Sequence, residues 1–434
     1  MTHHAASLSL PLLLAVGACA TMNQKTISPS SAPVNANAGA KAPAGVSERA
    51  MAIYRSAIVI DTHNDLPTKM LDDAYNADVR HSPGFAKDQG ETDLPRLVES
   101  GITAQYLSAF VDAEYALKRP DQSHARALAY IDTIHAFVAR HPDKLLFATT
   151  AADVRRAKAE GKVAILIGVE GGHAIENSLD NLRDLYRRGA RYMTLTWNNG
   201  NDWAGSSIGV NGTSTGGLTD FGKQVVREMN RLGMLVDISH VSDATFYDAV
   251  ATSTSPVIAS HSSARALDPA PRDLTDDQLR AVARNGGVVN VNFYAAFIDS
   301  AYLRKKTEIE LRVARETEAE LKRPGADSTA VMARGEARTN ELVQALTPPP
   351  FSVLIDHIDH VATVAGIDHV GIGSDFDGVS GLLPAGMNQV TDLPKIVDGL
   401  LARGYDEQAI KKILGGNMMR VMEQVFDRRS APMP

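Results

Sequence analysis

The sequence predicts a (β/α)8 TIM barrel with a helical insertion ahead of its last strand. Two observations carry that reading. Eight short apolar runs alternate with helical patterns between residues 57 and 374, the pattern of parallel strands joined by crossover helices. Several of these runs end on histidine or a carboxylate, namely His63 with Asp65, Glu170, His240, His261 and Asp375. Strand C-termini are where barrels of this class carry their functional groups. A length of 434 residues suits one barrel with insertions, and 44% apolar with 22% charged residues suits a globular core. The net charge of −7 offers no basic surface to nucleic acid, which is therefore not an expected partner.

The chain begins with a different kind of segment. Residues 8–16 are an apolar stretch of signal-peptide length, too short to span a bilayer, and they run into Val16-Gly17-Ala18-Cys19. That tetrad resembles a bacterial lipobox, in which the cysteine becomes the lipidated first residue of the mature chain. Cys19 is the sole cysteine, so no disulfide framework exists. The preceding region carries His3 and His4 but no Lys or Arg, which leaves ordinary cleavage near Ala18 or Ala20 open. Residues 1–19 read as an export signal on either account. The expected location is the bacterial periplasm, with a lipid anchor to the membrane through Cys19. Residues 20–48 are rich in Ser, Pro, Ala, Asn and Gly and read as a flexible linker to a domain over 49–428.

The first run, AIVIDTHNDLP over residues 57–67, sets Asp61, His63 and Asp65 at alternate positions, which an extended backbone turns to one side. A polar loop over 72–92 follows, then a second strand over 101–110 and a helix over 123–140 with Leu128, Ile131, Ile134 and Phe137 at helical spacing. KVAILIGVEGG, residues 162–172, is continuously apolar, as in strands buried on both faces. It closes on Glu170, and because a buried unpaired charge is costly, ligation explains that carboxylate better than packing. Ser178 caps the next helix, which stops at Gly189, and RYMTLT is strand four, followed by a Gly- and Asn-rich loop to 217.

Thr219 caps a helix over 220–232. MLVDIS then delivers His240 and PVIAS delivers His261. Thr275 and Gln278 form a capping box, and GGVVNVNFY is strand seven. The charged stretch over 302–345 is expected to be a solvated helical excursion within an insertion of about 300–348. A helix over 351–365 holds Asp356, His357, Asp359 and His360, read as structural because Leu354, Ile358 and Val361 give it a buried face. HVGIGS delivers Asp375 within SDFDG, and two helices finish the chain, the second over 407–426 with a glycine pair inside.

Three carboxylates and three histidines at strand ends suit two divalent ions that share one carboxylate. Oxygen and imidazole without thiolate favour zinc, with manganese, cobalt and iron left open. A water held between two such ions loses a proton at about pH 7, so the residues alone point to metal-dependent hydrolysis.

The strings IDTHNDLP, GVEGGH, ISHVS, SHSSARAL, PRDLTDDQL and GIGSDFDG, in this order, resemble the membrane (renal) dipeptidase family of binuclear zinc peptidases, peptidase family M19, over residues 53–426. The resemblance implies two zinc ions, one bound by His63 and Asp65 and the other by His240 and His261, with Glu170 bridging. It implies that Asp375 contacts the bridging water and the substrate, and that Arg272 holds the substrate carboxylate. A guanidinium so placed rewards substrates that end one residue past the scissile bond. It further implies tolerance of a D-residue at that position, and a homodimer is common in the family.

One position departs from the pattern. Well-studied members carry a histidine after the TLT of strand four, where it polarises the scissile carbonyl, and this chain has Trp197. Asn198 is the first candidate to supply the missing donor, with Asn199 its rival. Two other readings compete: an amidohydrolase-type barrel acting on lactones, cyclic amides or phosphoesters, and a lipid-anchored binding protein that has lost catalysis. The first usually carries H-x-H on strand one, where this chain has His63 and Asp65.

Overall fold

A computed structural model describes residues 41–84 and 86–426. The proposed export signal, Cys19 and most of the linker lie outside these residues. Among the described residues, the barrel wall is built from β1 (Ile60–Asp61), β2 (Ala104–Phe110), β4 (Val163–Glu170), β5 (Ala190–Thr194), β6 (Leu235–Asp237), β7 (Ile258–Ala259), β8 (Val288–Val291) and β9 (Val370–Ile372). A short strand, β3 (Leu145–Phe147), adds to the first half of β4 and had no recognisable signal in the sequence. Pairing is parallel throughout, β2 joins β4 directly, and β9 closes back onto β1. The result is a closed eight-stranded parallel barrel with flanking helices, as the alternation of strands and helices required.

Every residue of β4 is buried, because it faces helices outside and side chains inside, which explains its unbroken apolar run. The barrel interior is filled by Ile60, Tyr106, Leu166, Tyr192, Leu235, Ile258 and Val288, and the C-terminal helix Asn417–Phe426 plugs the lower end with Met418, Met422 and Val425. Gly168 makes room for one of these rings, since a Cβ there would lie 1.9 Å from Cζ of Tyr192.

Helix boundaries follow their caps. Thr219 and Gly233 bound Asp220–Leu232, and the Thr275/Gln278 box opens Asp276–Asn285. The last helix departs from expectation. It breaks after Lys411 and restarts at Asn417, because the chain at Gly415 passes so close to β1 that a Cβ would meet the Ile58 carbonyl oxygen at 2.6 Å. The insertion forms a hairpin of two helices, Ser300–Leu321 and Ser328–Gln344. Most of its residues are exposed or half-exposed, as expected of a surface element, but Tyr302, Val313, Val331 and Val343 are buried, and one side of the hairpin walls the cavity described below.

Candidate metal centre

Local structure frees each candidate group to face the barrel mouth. Asp65 precedes the helix Leu66–Asp72, yet its carboxylate makes no capping bond, because Asn64 Oδ1 takes the Leu66 N–H at 2.8 Å. Glu170 ends β4, and Gly171 at φ 106 turns the chain sharply behind it. His240 and Asp375 adopt φ values of 66 and 63, a region that non-glycine residues occupy only when the surroundings hold them there.

These groups converge. Glu170 divides its two oxygens: Oε2 lies 3.3 Å from His63 Nε2, whereas Oε1 lies 2.9 Å from His240 Nε2 and 3.5 Å from His261 Nε2. His63 Nε2 is also 3.2 Å from Asp65 Oδ2 and 4.0 Å from Asp375 Oδ1. Two groups of ligand atoms lie within 4.8 Å of one another, His63 with Glu170 and His261, and His63 with Asp65 and Asp375. The other ring nitrogens face outward, His63 Nδ1 to Tyr192 Oη at 2.8 Å, His240 Nδ1 to Asn198 Oδ1 at 3.1 Å, and His261 Nδ1 to Ser260 Oγ at 2.8 Å.

Electrostatics match the geometry. Burial pushes His240 down to about 3, with the Arg272 charge adding to it, and burial holds His261 well below its ordinary range. Both imidazoles are therefore neutral, yet their Nε2 atoms stand only 2.8 Å apart. The amide oxygen of Asn198 can only accept, so His240 carries its hydrogen on Nδ1 and directs the Nε2 lone pair at its neighbour. His63 Nε2 and Asp65 Oδ1 are buried without a hydrogen-bond partner. Lone pairs crowded this closely, beside three carboxylates, fit cations rather than each other, and the mixture of oxygen and imidazole suits divalent metals. Burial raises the Asp375 carboxyl to about 7, with Asp65 and Glu170 pushing the same way and His63 opposing.

Asp65, Glu170, His240, His261 and Asp375 line a cavity of about 490 Å³. Phe110 and Trp197, edge to face at 4.7 Å, form one wall, and Tyr294 and Phe297, also edge to face at 4.7 Å, form another. The hairpin closes the outer side with Lys306, Glu310, Asn340 and Gln344. Arg272 lies behind Phe297, its guanidinium carbon 5.4 Å from the ring centroid; it is 2% exposed and its Nε has no acceptor.

Asn198 lines the cavity with its oxygen 3.1 Å from His240 Nδ1, so it supports that histidine through Oδ1, while Nδ2 is the group that could donate to a carbonyl. Asn199 is fully buried, its amide 3.4 Å from His173 Nδ1 and 3.3 Å from the Gly200 carbonyl oxygen. His357 of the Asp/His cluster bonds Ala264 N–H and the Ile298 carbonyl, and His360 bonds Asp276, in keeping with a structural role. Sequence reasoning missed Asn292, whose Nδ2 donates to Asp375 Oδ2 at 2.9 Å. Its position just past the end of β8 was the available signal.

Known proteins resemble this chain over most of its length. The probable dipeptidase PvdM from Pseudomonas aeruginosa shares the fold, with a TM-score of 0.76 at 24% identity over 88% of this chain and 98% of that one. A Rhodobacter sphaeroides metallo peptidase liganded with a phosphinate mimic of the dipeptide L-Ala-D-Ala has a TM-score of 0.68 at 25% identity, covering 85% of this chain and 100% of its own. Dipeptidase AC, a metallo peptidase of family M19, gives 0.68 at 27% identity, covering 86% and 99%. The sequence model of the membrane dipeptidase family, peptidase family M19, matches residues 47–431. With nearly the whole barrel matched and the ligand-type residues gathered at its mouth, this chain belongs to the membrane dipeptidase family and is a metallo-dipeptidase.

Proposed function

We propose that the protein is an exported, two-zinc dipeptidase that accepts a D-residue at the C-terminal position of its substrate. The observation that carries the metal count is the divided Glu170 carboxylate, with one oxygen toward His63 and the other toward His240 and His261. His63 and Asp65 would hold one ion and His240 and His261 the other, with Glu170 placed to serve both. When bound, such a pair supplies Lewis acidity, lowering the pKa of a shared water toward roughly 7 and drawing charge from the scissile carbonyl.

The remaining steps belong to side chains. Asp375, held by Asn292, accepts the proton of the attacking water and passes it to the leaving amine. Arg272 has donors to spare, with Nη2 on the His261 carbonyl at 3.2 Å and Nε without an acceptor, and it takes the substrate's terminal carboxylate. Trp197 and Phe110 exclude water from one flank. The L-Ala-D-Ala mimic held by the Rhodobacter relative supports a D-residue in that position. Export rests on residues 8–19 alone, with Cys19 as the lipid attachment point; a Cys19→Ala variant released from the membrane fraction would support it, and one still retained there would not.

The test is hydrolysis of matched L-L and L-D dipeptides by protein whose metal content has been measured. The reading expects two ions per chain and turnover of both substrates. Active protein with one ion or none would sink the two-zinc assignment, and failure on the L-D member would remove the D-residue claim.

A further inference from the structure

Two buried aspartates that take no part in the proposed chemistry sit directly beneath the site. Asp61 ends β1 and Asp237 ends β6, each with no solvent exposure. Asp237 Oδ1 accepts from the N–H groups of Ser239 at 3.1 Å and Ser260 at 2.8 Å, and its Oδ2 accepts from the hydroxyls of Ser260 and Thr194, both at 2.6 Å. Asp61 repeats the arrangement, with Oδ1 on the N–H groups of His63 at 3.3 Å and Ser374 at 2.8 Å, and Oδ2 on the Ser374 hydroxyl at 2.6 Å. Each carboxylate thus grips the serine that immediately precedes a site residue on the next strand, Ser260 before His261 and Ser374 before Asp375.

We propose that Asp237 and Ser260 form a relay that positions His261 as a metal ligand, and that Asp61, by gripping Ser374, fixes the backbone that presents Asp375. The inference rests on the reading of His261 as a zinc ligand. Ser260 has one hydroxyl proton, and both oxygens of Asp237 accept from N–H or O–H donors, so that proton is committed to Oδ2. The oxygen's remaining lone pair then accepts from His261 Nδ1–H at 2.8 Å. This selects the tautomer with hydrogen on Nδ1 and leaves the Nε2 lone pair aimed at Glu170 and His240. A carboxylate behind the hydroxyl also makes the hydroxyl a better acceptor and the imidazole a stronger ligand. Asp237 holds the backbone too: it binds Ser239 N–H just before the positive-φ His240, and Ser239 Oγ accepts the His261 N–H at 3.0 Å. Asp61, through Ser374, stands in the same relation to the positive-φ Asp375.

Zinc affinity measured by competition with a chromophoric chelator tests this, on wild type, Ser260→Ala, Asp237→Asn and the double variant. Melting curves of the metal-free proteins report whether packing has changed. The relay expects Ser260→Ala to lose about tenfold to a hundredfold in affinity for one ion while melting as wild type does. The double variant should bind no more weakly than Asp237→Asn, because both residues act through one path. Wild type that binds no zinc removes the ligand reading and the relay together. Wild type that binds two ions, with Ser260→Ala matching it, overturns the relay and leaves the ligand reading standing. A loss of affinity accompanied by a lower metal-free melting temperature assigns Ser260 to packing and also overturns the relay. If Asp237→Asn does not fold, Ser260→Ala decides alone.

Discussion

Replacing Arg272 with methionine should separate function from stability. The guanidinium is 2% exposed, donates to the His261 carbonyl at 3.2 Å, approaches Ser262 Oγ only at 3.5 Å, and has no acceptor for Nε. Burial lowers its pKa, opposed by the charges of Asp375 and Glu170. A cation whose pKa is lower folded than unfolded destabilises the fold by the full amount at every pH below the folded value, and this cost fades between the folded and unfolded values and is gone above the latter. Arg272 therefore weakens the protein across the working range, and since none of the ion pairs among the described residues includes it, methionine strands no partner charge and should leave stability level or raise it. Activity should move the other way. Losing the partner of a buried carboxylate costs about 2–5 kcal/mol, which at about 1.4 kcal/mol per decade is about 30-fold to several thousandfold in kcat/KM. The assay compares kcat/KM for a free dipeptide and its C-terminal amide, alongside melting of the zinc-loaded proteins. Wild type should prefer the free acid strongly, and Arg272→Met should lose that preference while melting no lower than wild type. Equal wild-type rates on acid and amide would refute the assignment, as would a variant that melts lower yet keeps its kcat/KM.

Other outcomes are accessible to simple measurements. Glu170→Ala should lower occupancy of both metal sites, because its two oxygens face different histidines, and elemental analysis finding one site still full would count against bridging. Asn198→Ala should weaken zinc binding about tenfold by freeing His240 Nδ1, with kcat at saturating zinc near wild type; a fall in kcat at full occupancy would instead make Asn198 a donor to substrate. Gly168→Ala drives a methyl into the Tyr192 ring, whose hydroxyl meets His63, so it should cost about 1–3 kcal/mol of stability and loosen metal binding; an unchanged melting temperature would show that the ring has room to move. Trp197→Phe keeps an aromatic wall against Phe110 and should alter the preference among dipeptides more than it alters kcat, which a panel of side chains would reveal.

Sequence alone determined the barrel and the ligand-type residues, because both are encoded locally. A strand buried on both faces must be apolar throughout, as β4 is, and a strand end can carry a histidine or carboxylate only at a fixed place in the chain, as His240, His261 and Asp375 do. Caps such as Thr219 and the Thr275/Gln278 box are equally local and fell where their chemistry demanded. Tertiary structure decided what lies between elements remote in the chain. Tyr192 reaches His63 only because Gly168 on the adjacent strand leaves room, and Asn292 reaches Asp375 only because β8 and β9 are neighbours. The charged hairpin looked solvated because most of its residues are; those that wall the cavity stand at helical spacing, Lys306 with Glu310 and Thr339, Asn340, Val343 and Gln344, but all except Val343 are polar, so no apolar stripe marks them. Asn198 could be placed beside the site from its sequence neighbourhood, but which way its amide turns is set by His240, a residue on another strand end, and no local pattern encodes that choice.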